Sequence, residues 1–299
     1  MPRAGIMRQA EQRAGVADWL SSAGVAAPCP LVGHAMIPGM TGRVSPIGPV
    51  SAAGLPASPA VRYAATAGLL AGACATLALA GPAVTAIGPV RRALCPGLAG
   101  RGEPGHVALT FDDGPDPAST PQFLELLAAR GIRATFFLLG SMVARAPSLA
   151  AEISAAGHET AVHGWDHRSL LLRTPGSCRD DIRRAAGIVA DATGTAPALF
   201  RPPYGVLTTG ALRTARDLGL TTLLWGSWGR EWAPGATPES VYSTLARTLA
   251  GGVTVLLHDS DCTSPPGSSK AALGALPLLL DACAAAGLQP GPAAEHGLW

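Results

Sequence analysis

Two adjacent aspartates, Asp112 and Asp113, end an apolar run in the stretch VALTFDDGPDP at 107–117. Placing two carboxylates side by side costs electrostatic energy unless a bound group uses their charge. The later stretch HGWDH carries two further candidates, His163 and His167. Two histidines and a carboxylate are a common ligand set for a first-row divalent metal, with positions left open for water and substrate. We therefore expect one aspartate to bind a metal and its neighbour to take a proton from the water that this metal activates.

The elements that must position these side chains are predicted as alternating strands and helices. Short apolar runs predict strands at 106–111, 133–139, 159–163, 198–200, 220–225 and 252–258. Helices are predicted between them at 121–131, 147–157, 178–192, 209–218 and 238–250, with a last helix interrupted or kinked at Pro277. This alternation predicts an α/β fold in which helices cover a parallel sheet, open or closed into a barrel.

The candidate residues share a position at the carboxyl ends of predicted strands. They are Asp112 and Asp113 after the first strand, His163 at the end of the third, Arg201 after the fourth, and His258 at the end of the sixth. In a parallel α/β barrel these ends share one face, and catalytic residues collect there from several strands. The sequence therefore predicts a single pocket lined by acids, imidazoles and an arginine.

Composition narrows the class of protein. The chain has 299 residues, of which 48% are hydrophobic, so it is long enough to bury a sizeable core. A net charge of +2 with 14% charged residues argues against a nucleic-acid partner that requires a dense basic face. The six cysteines contain no C-x-x-C pair, which argues against a zinc knuckle or a dense disulfide framework.

The N-terminal third has a different composition. Residues 1–62 are rich in Gly, Pro, Ala and Ser without a sustained period, which predicts disorder. Residues 63–90 carry no charge and are long enough to span a bilayer of about 30 Å, although Pro82 interrupts them. Three interpretations stay open: a membrane anchor, a signal sequence cleaved after 78–80, or a soluble apolar segment. The first two predict a location in the cell envelope, membrane-anchored or secreted, and the third allows a cytoplasmic one.

Four ordered motifs carry a resemblance to a known family. They are TFDDGP at 110–115, HGWDH at 163–167, RPPYG at 201–205 and LLHD at 256–259. Over residues 104–298 the chain resembles the polysaccharide deacetylases of the NodB-homology type, carbohydrate esterase family 4. The resemblance implies a distorted (β/α) barrel. It also implies metal-dependent hydrolysis of N-acetyl groups on an N-acetylhexosamine polymer such as peptidoglycan or chitin.

The resemblance also implies roles for the acid–base residues. Asp112 would be the general base, oriented by Arg201, and His258 would be the general acid that protonates the departing amine. The backbone N–H of Tyr204 would help to hold the developing oxyanion. Pro203 and Tyr204 are also expected to contact the substrate.

By the same resemblance the metal ligands would be Asp113, His163 and His167. Zn²⁺ is the expected ion, and Co²⁺, Ni²⁺ and Mn²⁺ suit overlapping ligand sets. Gly164 follows the first histidine, where the family usually has a hydroxyl residue, and we expect this change to affect only a loop contact.

The main departure from the family pattern is WGSWGREW at 225–232. Gly226 and Trp228 stand at two positions that are usually acidic, and Glu231 stands at a third. Glu231 is expected to raise the pKa of the acid histidine through its negative charge. Trp228 and Trp232 are expected to line a groove for a sugar ring. These changes bear on substrate preference and rate and leave the metal ligands intact.

Two alternatives to an N-deacetylase stay open. The same site would serve another acyl hydrolysis, such as removal of an acetyl ester from a xylan-like polymer, a deformylation, or opening of a small amide. A degenerate member that binds glycans without hydrolysing them is the alternative from a different class, although all metal and acid–base positions are filled. The stretch HDSDCTSPPGSSK at 258–270 is predicted to be a long loop that shapes the substrate pocket, with Asp259 and Asp261 as turn or cap residues.

Overall fold

The computed structural model describes Gly72, Cys74 and residues 76–297. The disorder predicted for residues 1–62, and most of the first half of the apolar segment 63–90, lie outside the described residues. Ala75–Trp299 form one compact unit, and this unit contains every candidate site residue.

The described part of the apolar segment is broken into short pieces. A 3₁₀ helix covers Gly81–Ala86, and the first helix with assigned bounds, α1, covers Gly88–Leu94. Each has a proline in its first turn, where the missing N–H costs no intrahelical hydrogen bond. Within the described residues, no helix has both the length and the apolar character that crossing a membrane requires.

The centre of the unit is a sheet in which all the pairings between described strands are parallel. The strands are β1 (His106–Asp112), β2 (Thr135–Leu138), β3 (Glu159–Val162), β4 (Leu199–Phe200), β5 (Thr221–Thr222), β6 (Ser227–Trp228), β7 (Thr254–His258) and β8 (Gln289–Gly291). Their order is β5-β4-β3-β2-β1-β7-β6, and β8 pairs with β1. Asp112 is in register with His258, so the chain topology brings these two side chains to the same edge.

Helices cover this sheet. After α1 they are α2 (Thr120–Arg130), α3 (Gly140–Arg145), α4 (Pro147–Ala155), α5 (Pro175–Thr193), α6 (Thr209–Asp217), α7 (Pro238–Ala246) and α8 (Ser268–Ala285). Local sequence sets several boundaries. Gly131 ends α2 with a φ of 63°, a left-handed conformation that glycine adopts at little cost, and a Thr237–Ser240 capping box begins α7. Phe111 of β1, Phe123 of α2 and Phe136 of β2 form a fully buried aromatic cluster.

The sheet is a curled half barrel rather than a closed one, because β5 and β6 stand at the two ends of the described strand order. The predicted strand at 220–225 is wrong in extent: it shrinks to β5, and a separate strand β6 follows. The physical reason is a contact that is distant in sequence: the carbonyl oxygens of Leu223 and Leu224 accept hydrogen bonds from the Arg201 side chain. The last helix, α8, continues through Pro277, so no interruption divides it.

Candidate active site

Asp113, His163 and His167 converge at the carboxyl edge of the sheet, with one ligand atom from each within 4.8 Å of the others. Asp113 Oδ1 lies 3.5 Å from His163 Nε2 and 3.6 Å from His167 Nε2. This oxygen is buried and has no hydrogen-bond partner in the described structure. A buried, unpaired carboxylate oxygen between two imidazoles is costly alone and suits a cation. The residues present therefore fit the divalent metal that the ligand set implies.

The pKa shifts of His163 and Asp113 also favour a metal. Burial lowers the pKa of His163 to about 3, so the imidazole is neutral at physiological pH. His163 Nδ1 donates a hydrogen bond to the Arg201 carbonyl at 2.8 Å, which leaves Nε2 unprotonated toward Asp113. Burial would raise the pKa of Asp113, but the neighbouring His167 and His258 imidazoles outweigh it and hold that pKa below its usual value.

Asp112 lies beside this cluster and is paired with a fully buried arginine. Arg201 Nη1 is 2.6 Å from Asp112 Oδ1 and also donates to Thr110 Oγ1 at 2.8 Å. The remaining guanidinium donors bind the carbonyl oxygens of Leu223 and Leu224 at 3.1 and 3.0 Å. Burial raises the pKa of Asp112, and the Arg201 charge opposes that effect. The pair thus holds the Asp112 carboxylate in a fixed orientation beside the candidate metal ligands.

His258 and Glu231 form a second buried pair across the site. His258 Nδ1 lies 2.7 Å from Glu231 Oε1. Burial alone would lower the pKa of His258, but the Glu231 carboxylate outweighs it and raises the pKa to about 9. The imidazole is therefore protonated at neutral pH and able to give a proton away. The Glu231 side chain is therefore long enough to accept a hydrogen bond from His258 directly.

Aromatic side chains lie beside two of the histidines, His258 and His167. Trp232 meets His258 with ring centroids 5.3 Å apart, and Trp228 meets Trp232 at 5.1 Å. Tyr204 keeps 40% of its surface exposed, has a left-handed φ of 59° and contacts the His167 ring at 4.5 Å. Pro203, predicted as a substrate contact, is buried.

The HGWDH loop is held by residues that sequence analysis did not single out. Asp181 Oδ2 accepts the Trp165 backbone N–H at 3.0 Å, and Arg173 joins Asp181 to Asp166 at 2.9 and 2.6 Å. A Cβ atom on Gly164 would lie 3.0 Å from Asp181 Oδ2. The Asp181 carboxylate therefore fills the space beside Gly164 and holds the loop through the Trp165 N–H.

Comparison with known proteins is consistent with this geometry. The family model described as polysaccharide deacetylase matches residues 99–223, which include Asp112, Asp113, both candidate metal histidines and Arg201. A chitooligosaccharide deacetylase from a Bradyrhizobium species is 38% identical over 165 residues, which are 55% of this chain and 74% of that protein. A peptidoglycan-N-acetylglucosamine deacetylase from Bacillus cereus is 38% identical over 157 residues, covering 51% of this chain and 72% of that protein.

A solved structure has a similar fold. A family 4 carbohydrate esterase from Streptomyces lividans, solved in complex with acetate, superposes with a TM-score of 0.56. It is 32% identical in sequence, and the match covers 63% of this chain and 93% of that one. Motif, fold and sequence relatives agree, and the chain belongs to the polysaccharide deacetylase family.

Proposed function

We propose that this protein is a metal-dependent hydrolase that removes N-acetyl groups from an N-acetylglucosamine polymer. The observation that carries the proposal is the convergence of three separate functions on one sheet edge. These are the metal ligand set around Asp113, the general base Asp112 paired with Arg201, and the general acid His258 paired with Glu231. The relatives named for chitooligosaccharide and peptidoglycan substrates support N-acetylglucosamine as the sugar.

The ion would be held by Asp113, His163 and His167. When bound, a divalent ion such as Zn²⁺ polarises an acyl oxygen and lowers the pKa of water in the site. We propose Zn²⁺ as the native ion, since two imidazoles and a carboxylate suit it, and Co²⁺, Ni²⁺ and Mn²⁺ as ions that the same ligands accept.

The chain's own residues account for the proton transfers. Asp112, oriented by Arg201, takes a proton from the attacking water as the water oxygen adds to the acetamide carbon. The Tyr204 backbone N–H would donate to the oxygen on which negative charge develops. His258 gives its proton to the amide nitrogen, the C–N bond breaks, and a free amine and acetic acid are released, the acid then ionising to acetate in water. Glu231 keeps this imidazole charged until the proton is needed.

We further propose that Trp228 and Trp232 form the wall against which a sugar ring packs. The support is that Trp232 contacts His258 and Trp228 packs against Trp232, so a sugar ring stacked on these indoles would lie near His258. Tyr204 offers a partly exposed ring on the side of His167.

The location in the cell envelope and the membrane association belong to the same proposal. Their support is the uncharged stretch at 63–90 and the relatives named for peptidoglycan. Either an anchor or a cleaved signal would carry the catalytic unit to such a polymer.

The test is acetate release from N-acetylglucosamine oligomers by the full chain. The reaction is run as purified, after removal of metal with a chelator, and after Zn²⁺ or Co²⁺ is restored. We expect release to vanish with chelation, to return with metal, and to be lost in Asp113→Ala. Asp180→Ala is the matched control, because Asp180 is an exposed aspartate on α5.

Acetylated xylan and a formylated amine serve as parallel substrates. Faster release from either would move the proposal to another acyl group. Binding of the oligomer without any release, in protein that holds a metal, would instead favour a glycan-binding member.

A further inference from the structure

Two consecutive residues of the loop that follows the acid histidine contact one metal-ligand residue. The Thr263 hydroxyl donates a hydrogen bond to Asp113 Oδ2. The Cys262 Sγ–H lies 3.5 Å from the backbone carbonyl oxygen of Asp113. Side chain and main chain of the same aspartate are thus both held from this loop, which the sequence had linked only to the shape of the substrate pocket.

Asp113 is a residue that requires such support. Its φ of 80° is a left-handed conformation, which is strained for a residue other than glycine. Its carboxylate is fully buried, next to the Asp112 carboxylate. Oδ1 faces His163 and His167 without a hydrogen bond, whereas Oδ2 is taken by the Thr263 hydroxyl. The hydroxyl therefore assigns different tasks to the two carboxylate oxygens.

The loop itself is anchored on both sides of these contacts. The Asp261 carboxylate accepts the backbone N–H groups of Gly267 and Ser269, each at 2.6 Å, at the start of α8. On the other side, Ser260 Oγ donates to Asp116 Oδ2 at 2.8 Å and accepts the Cys262 N–H at 3.0 Å. These bonds fix the backbone, so the Thr263 hydroxyl is held at Asp113 by the loop.

We propose that Thr263 is a positioning residue for the metal ligand Asp113. Its hydroxyl occupies Oδ2 and presents Oδ1 alone to the ion, which reduces the reorganisation that binding would require. This inference rests on the proposed metal-dependent function. Hydrogen-bond partners of metal ligands typically contribute about 10- to 100-fold in metal affinity, so the same range is expected here.

The experiment measures the Zn²⁺ dissociation constant of the full chain by competition with a chromophoric chelator. Thr263→Val keeps the size of the side chain and removes the hydroxyl, and we expect it to bind about 10- to 100-fold more weakly. Thr263→Ser keeps the hydroxyl and should stay close to the wild type. Thr244→Val is the matched control, because the Thr244 hydroxyl contacts only the Ser240 carbonyl in the described structure.

A second readout is the absorption spectrum of the Co²⁺-loaded protein, which reports coordination geometry. The valine variant should change the intensity of the visible bands, and the serine variant should restore them. Equal Zn²⁺ affinity and equal spectra for wild type and Thr263→Val would overturn the inference while leaving the proposed function intact. A wild-type protein that binds no Zn²⁺ or Co²⁺ would overturn the proposed function and this inference with it.

Discussion

Replacing Glu231 with glutamine removes the charge that keeps His258 protonated and changes little else in size. The carboxylate lies 2.7 Å from His258 Nδ1 and outweighs burial to raise the imidazole pKa to about 9, from an ordinary value of 6.5. Without that charge, burial is opposed only by the Asp113 and Asp112 carboxylates, and the pKa of His258 falls toward its ordinary value.

The size of the effect follows from the fraction of His258 that carries a proton. At pH 8, a pKa of about 9 leaves roughly nine-tenths of the imidazole protonated, whereas a pKa of 6.5 leaves about 3%. If the amine can leave only when His258 gives it a proton, kcat/KM at pH 8 falls by up to about 30-fold. The loss should shrink as the pH is lowered toward 6.

The assay is the pH profile of kcat/KM for acetate release between pH 5 and pH 10, for wild type, Glu231→Gln and Glu239→Gln. Glu239 is exposed in the first turn of α7, so its variant controls for the loss of a carboxylate. Activity of the wild type should fall as the pH rises through about 9, and Glu231→Gln should fall at a lower pH. Coincident alkaline limbs for all three proteins would refute the role given to this pair.

The buried contacts of Arg201, Asp181 and His258 should also affect the stability of the protein and its affinity for metal. Arg201→Met strands the Asp112 carboxylate in the core, and the free energy of unfolding in urea should fall by about 3–5 kcal/mol. Asp181→Leu removes the acceptor that holds the HGWDH loop, and Zn²⁺ affinity measured by competition should weaken, with Asp180→Leu as the exposed control. Because the folded pKa of His258 is raised, its stabilisation is present below about 6.5 and lost as pH rises through about 9. Melting temperatures at pH 6 and pH 9.5 should therefore converge in Glu231→Gln.

The strands that position the site were predictable because their apolar runs are unambiguous. β1 and β7 are buried along nearly their whole length, and the polar residues that matter come where those runs end. Parallel topology then places the strand ends at one edge, so Asp112 and His258 were expected to meet although they are distant in sequence. Such strands can be recognised in the sequence because a strand that is buried on both faces requires a continuous run of apolar residues.

The features that were not predicted from the sequence depend on contacts that no local sequence pattern encodes. The stretch at 220–225 is apolar enough for one strand, but Arg201 takes two of its carbonyl groups and the strand ends early. The short helix α3 follows β2 almost directly and carries few periodic residues. Thr263 lies in a loop whose shape is set by side-chain hydrogen bonds to distant residues, which composition alone does not reveal.

The adjacent aspartates are assigned different tasks, Asp113 as metal ligand and Asp112 as base. The most direct test measures bound metal and acetate release together in Asp112→Asn and Asp113→Asn, with Zn²⁺ supplied. We predict that Asp112→Asn retains a stoichiometric metal ion and releases no acetate, whereas Asp113→Asn loses both. Retained acetate release in Asp112→Asn, or metal binding by Asp113→Asn equal to that of the wild type, would contradict the account.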